Sequence, residues 1–74
     1  MEPREIRSWT TEDLERRLAD AYQERFALRR ELALGRLEDH NRITAVKRDI
    51  ARMRTILRER ELSAEFVGGG EEEP

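Results

Sequence analysis

Residues 42–60 read RITAVKRDIARMRTILRER, and two patterns share that one stretch. Ile43, Val46, Ile50, Met53 and Leu57 recur at spacings of 3, 4, 3 and 4, which draws a single apolar stripe along an α-helix. Arg42, Lys47, Arg48, Arg52, Arg54, Arg58 and Arg60 crowd the rest of the surface, against only Asp49 and Glu59 as acids. The stripe needs a second helix to cover it. The cations need an anion, and a polyanion fits best.

The second helix lies upstream. Thr10 is a predicted N-cap, with Asp13 three residues on as a capping-box partner, and Trp9 with Leu14 has the spacing of a hydrophobic staple. From Thr11 to about Leu34, Leu14, Leu18, Ala21, Leu28 and Leu32 form the stripe, with Tyr22 and Phe26 beside it and read as core. Arg25 falls on that stripe, where its stem can pack and its head reach out. Gly35 is the natural left-handed stop, and Asp39 or Asn41 caps the next helix, expected over about residues 40–61. A connection of roughly four to six residues forces the helices antiparallel, and Leu37 is placed to plug its open end.

The expected architecture is therefore all-α. A single helical-hairpin domain spans residues 1–64, a long antiparallel two-helix hairpin that opens with a short helical turn over about 3–7, with Pro3 in its first turn. Its core is expected to comprise Leu14, Leu18, Leu28, Leu32, Ile43, Val46, Ile50, Met53 and Leu57. Residues 65–74, with the run Gly68-Gly69-Gly70 and then Glu71-Glu72-Glu73-Pro74, read as a disordered acidic tail.

Composition narrows the function. Seventy-four residues, 43% charged and 36% hydrophobic, allow one small domain without a large core. A chain of this size buries only roughly 60% of its unfolded surface, so binding to a partner would stabilise it. No cysteine is present, which removes disulfides and thiol chemistry and suits a reducing, cytoplasmic setting. No apolar run approaches the ~20 residues of a membrane span, and MEPREIRSW is too charged for a secretory leader. The net charge of −2 conceals a division: Arg25 to Arg58 holds ten basic and four acidic residues, a net of +6, and the rest of the chain a net of −8. Local potential decides binding at Debye distances of about 10 Å. Fourteen of the fifteen cations are Arg, whose planar fork suits phosphate.

Catalysis is not expected. His40, the one histidine, reads as a solvated loop imidazole, and Glu38 and Asp39 lie too close in sequence to build a helix-borne metal pair with it. Ser8 and Ser63 have no neighbouring base, and the glycine run is not a phosphate loop. A helical hairpin offers no pocket that excludes water. No cofactor, metal or small-molecule substrate is expected.

The basic surface passes a geometric test. At about 100° per residue, with Lys47 at 0°, Arg54 and Arg58 fall within about 20° of it, and Arg48 and Arg52 near 100° and 140°. Ala51, Thr44 and Thr55 lie between these two rows, a narrow strip onto which a phosphate backbone could settle. Arg29 and Arg30 on the first helix and Arg36 in the turn extend the footprint. Arg–phosphate contacts position a protein without reading sequence, and few aromatics are free for stacking, so structured RNA fits better than a single strand.

The stretch Glu24–Glu61, ERFALRRELALGRLEDHNRITAVKRDIARMRTILRERE, resembles the ribosomal protein L29 family of the large subunit, bacterial type. Phe26, Leu28, Arg29, the turn Gly35-Arg36-Leu37 and the run Val46–Arg52 carry the resemblance, and Ile6–Leu18 follows more loosely. The resemblance implies a non-catalytic helical hairpin packed on large-subunit rRNA, near the exit of the nascent-chain tunnel and beside a neighbouring ribosomal protein. It would set Lys47, Arg48, Arg52 and Arg54 against rRNA, with Arg29 and Arg36 nearby, and Asp49 orienting the Arg heads. Nascent-chain chaperones or targeting factors are candidate further partners at that place. Three departures stand out: acidity outside the middle of the chain, His40 where the family often has proline, and the GGGEEEP end. The alternative from a different class is a coiled-coil protein-binding module that completes a bundle with another chain, supported by the heptad in residues 43–57.

Overall fold

Thr10 and Gly35 bracket the first long helix. In the computed structural model, which describes the backbone of residues 1–72 and the side chains of residues 1–64, Thr10 is extended and its hydroxyl accepts the Asp13 N–H at 3.0 Å. Helix α2 then runs Thr11–Ala33. Gly35, at φ 70°, closes it with a Schellman motif: the Gly35 N–H donates to the Leu32 carbonyl at 3.0 Å, and the Arg36 N–H to Glu31 at 2.8 Å. A seven-residue connection leads to α3, which spans Asn41–Glu72. Asp39 supplies its cap, its carboxylate accepting the Asn41 N–H at 2.9 Å. A short α1, Pro3–Arg7, precedes both.

The two long helices lie antiparallel, and α1 folds back on α3. Two buried clusters hold them. Near α1, Ile6, Leu14, Met53 and Ile56 pack together, with Trp9, Leu18, Ala21 and Leu57 around them. Toward the turn, Leu28, Val46 and Ile50 pack with Tyr22, Leu37 and Ile43. Leu18 and Ala21 touch both clusters, so the core is continuous along the hairpin. Trp9 and Leu14 share a cluster, as a staple requires. The capping box stays open, because the Asp13 carboxylate binds Arg16 and Arg17 instead of the cap.

Four expectations are corrected. Leu32 is 43% exposed: α3 starts only at Asn41, and Leu37 closes the end of the core in its place. Ile6 and Ile56, absent from the expected core, are 0% and 3% exposed. They follow from the docking of α1, which widens the buried arc of α3 from a seam to roughly 120°, from Ile50 round to Ile56. Phe26, read as core, is 68% exposed. Helix α3 continues past Glu61, since Leu62–Val67 contains no proline and a growing helix gains one hydrogen bond per residue, while glycine costs about 1 kcal/mol without blocking that bond. The side chains of the expected tail, 65–74, and its last two residues altogether lie outside the described residues.

Candidate nucleic-acid interface

Helix α3 carries its cations away from the core by register alone. Lys47, Arg48, Arg52, Arg54 and Arg58 are all exposed, as are Arg29, Arg30 and Arg36. Ala51, Thr44 and Thr55 between the rows are exposed too, and the Thr55 hydroxyl donates to the Ala51 carbonyl at 2.8 Å. The strip is therefore low, with no outward-pointing donor at Thr55 to compete with the flanking guanidinium groups.

The structure divides these cations by pairing. Arg52 lies 3.7 Å from Asp49. Arg58 lies 3.2 Å from Glu61, and Arg42 crosses to Glu24 of α2 at 2.8 Å. The other seven basic residues between Arg25 and Arg58 have no carboxylate within 4 Å among the described residues: Arg25, Arg29, Arg30, Arg36, Lys47, Arg48 and Arg54. Exposed pairs of the observed kind contribute at most about 1 kcal/mol and give way readily to a better anion. The seven others have no such partner to leave.

The cations are not one patch. Arg54 and Arg58 border a shallow groove with Ala51 and Thr55 on α3 and Leu18 and Tyr22 on α2. Lys47 shares their direction on the helix, about three turns long or roughly 16 Å. Arg48 points to the back of α3, and Arg52 leans toward Asp49 on the opposite flank. Arg29 and Arg30 sit on the last turns of α2. Arg36 joins them through the turn, where its own N–H closes the Schellman motif.

Arg60 has a different occupation from the one its charge implies. Its guanidinium donates to the Trp9 carbonyl at 2.8 Å, the Arg7 carbonyl at 3.3 Å and the Thr11 hydroxyl at 3.1 Å. It fastens the α1–α2 junction to α3, satisfying carbonyls that a short helix leaves open. No spacing in the sequence signals this, because its partners lie about fifty positions away. Among the described residues no group of three or more His, Cys, Asp or Glu side chains could hold a metal ion, and no helix is long and apolar enough to cross a membrane.

Residues 4–60 match the family described as Ribosomal L29 protein. The chain belongs to that family. The match runs from α1 to Arg60, and all eight candidate cations fall inside it. Among its relatives, the large ribosomal subunit protein uL29 of Geobacillus stearothermophilus is 50% identical over 64 residues, covering 86% of this chain and 97% of that protein. The uL29 of Corynebacterium diphtheriae is 46% identical over 67 residues, covering 90% and 88%. This family member thus spans nearly the full length of these relatives.

Proposed function

We propose that this chain is a structural, non-enzymatic constituent of the large ribosomal subunit in the cytoplasm, and that it binds large-subunit rRNA through the exposed cations of α3 and the turn. The observation that carries the proposal is the set of seven cations without a carboxylate within 4 Å among the described residues, in a stretch, Arg25 to Arg58, that holds only four acids. Phosphates brought to Lys47, Arg48 and Arg54, with Arg29, Arg30 and Arg36 at the turn, would displace condensed counterions, and that release drives binding. Arg52 and Arg58 would join by exchanging Asp49 and Glu61 for phosphate. The neutralised hairpin then lowers repulsion between packed RNA segments. Family membership supports a place among ribosomal proteins. A seat near the nascent-chain tunnel exit, beside another ribosomal protein, is the finer reading that the resemblance favours, and chaperones or targeting factors would meet the chain there.

The coiled-coil alternative loses its main support, because the α3 stripe is covered by α2 and α1. The decisive experiment is binding to deproteinised large-subunit rRNA across a salt series. Saturable binding is expected, with log K falling by roughly 0.7–0.9 per phosphate neutralised, a slope of about −3 to −6 in all. A salt-independent interaction, or a stable dimer indifferent to RNA, would overturn the proposal.

A further inference from the structure

Phe26 is the open aromatic ring of the described residues. It is 68% exposed, while Trp9 and Tyr22 are half-buried against the core. Register explains the exposure: at about 100° per residue, Phe26 stands roughly 140° from the direction in which Leu14, Ala21 and Leu28 face α3. Its surroundings on the helix are uncharged or cationic. Gln23, Arg29 and Arg30 lie within about a turn, and Ala19 and Ala33 two turns to either side on the same line. The nearest acids of α2, Asp20, Glu24 and Glu31, point about 120–160° away.

Two cations already lie over rings here. The Arg30 guanidinium is over Phe26, 5.9 Å from the ring centroid, and that of Arg25 is over Tyr22 at 5.1 Å. Even with that cation over it, Phe26 keeps 68% of its surface exposed. Phe26 also shares its flank with Tyr22, hence with the groove that Arg54 and Arg58 border.

We propose that Phe26 is a base-stacking platform: it receives an unpaired nucleobase of the bound RNA while Arg29 and Arg30 hold the adjoining phosphates. The inference rests on the basic face being an RNA surface, and it names a subsite there. A flat apolar ring amid unpaired guanidinium groups matches a ligand that carries π-faces and negative charge on one chain. Every base has a π-face, so the platform selects an unstacked base, in a loop or bulge, more than a sequence. A protein partner would need an apolar cleft ringed by acids to match the same surface.

Phe26→Leu and Phe26→Tyr, tested beside the unaltered chain against deproteinised large-subunit rRNA over a salt series, decide it. Phe26→Leu is expected to lower affinity about tenfold or more, with the salt slope unchanged, because no cation is lost. Phe26→Tyr is expected to retain the affinity, and both to keep full helicity, because the ring lies outside the core. Affinity undiminished in Phe26→Leu would overturn the platform and leave the ring to a protein neighbour. Equal loss in both variants would overturn stacking as well. Failure of the unaltered chain to bind in a salt-dependent way is a separate outcome, which would sink the rRNA reading itself and the platform with it.

Discussion

The two flanks of the hairpin carry similar side chains and pair them to different degrees. On one flank, a hollow is lined by Arg17, Asp20, Ala21, Glu24 and Asp49 above Val46 and Met53. Every cation there has an acid: Arg17 has Asp13, Arg42 has Glu24, and Arg52 has Asp49. On the other flank, Arg54 and Arg58 border a groove with Tyr22, Glu59 and Glu61, where Glu61 pairs with Arg58 alone, and the helical register carries Phe26 and Arg29 along that face toward the turn. Arg54 and Arg29 have no acid within 4 Å among the described residues. Counting charge along the chain does not separate the flanks. The helical register does, because it puts Asp20 and Glu24 of α2 on one side and Tyr22, Phe26 and Arg29 on the other.

The comparison breaks entirely if the helices part, since the flanks exist only while α2 and α3 are packed. Ile50 is 3% exposed, in the cluster with Leu28 and Val46. Ile50→Asp should cost on the order of 4 kcal/mol or more, from lost packing and a buried carboxylate. That is a large share of the roughly 5–10 kcal/mol holding a small domain. The check is far-ultraviolet circular dichroism during thermal melting. A cooperative melt near that of the unaltered chain would show that the core is elsewhere.

Next in size is reversal of a charge on the open flank. Arg54→Glu should weaken binding to large-subunit rRNA by at least about tenfold and reduce the salt slope by about one to two, with helicity intact because Arg54 is exposed. Arg52→Glu should fall less, because its Asp49 partner already holds it at 3.7 Å and turns it toward the closed flank. Equal losses for the two would mean that the RNA surface wraps the whole outer face of α3.

Gly35→Ala probes the turn that sets both flanks in register. The position has φ 70°, and an added Cβ would meet nothing within 4 Å. The cost is therefore conformational alone, about 1 kcal/mol from a left-handed geometry that only glycine adopts freely. Chemical denaturation should show that loss with an unchanged slope. No loss at all would mean the turn relaxes out of its Schellman geometry.

These positions also show where reading the sequence succeeds. Thr10, Gly35 and Asp39 are legible because capping is local: each bonds within a few residues of itself. The stripes of α2 and α3 are legible because burial repeats with the helical period. Ile6 and Ile56 are not, since their burial depends on α1 docking some fifty residues along the chain. Phe26 misleads because its i, i+4 spacing from Tyr22 imitates a core pair, while Leu14 and Leu28 turn the helix so that only Tyr22 reaches the cluster. The exposure of the candidate cations is legible from the helical register. Their division into paired and unpaired cations is not, because Arg42–Glu24 joins two helices.

The smallest effect tests the closed flank directly. Arg42 and Glu24 meet at 2.8 Å, with side chains 61% and 45% exposed. Water screens such a pair, and holding two long side chains together offsets much of the Coulomb gain. Arg42→Ala should therefore change stability by no more than about 0.5 kcal/mol, and its effect on RNA affinity should be well below that of Arg54→Glu. Glu24→Gln sharpens the contrast by freeing Arg42. If pairing is what closes this flank, the freed guanidinium should raise rRNA affinity at low salt and steepen the salt slope by up to about one. An unchanged slope would mean that the flank is closed by its distance from the RNA, with Glu24 an incidental neighbour.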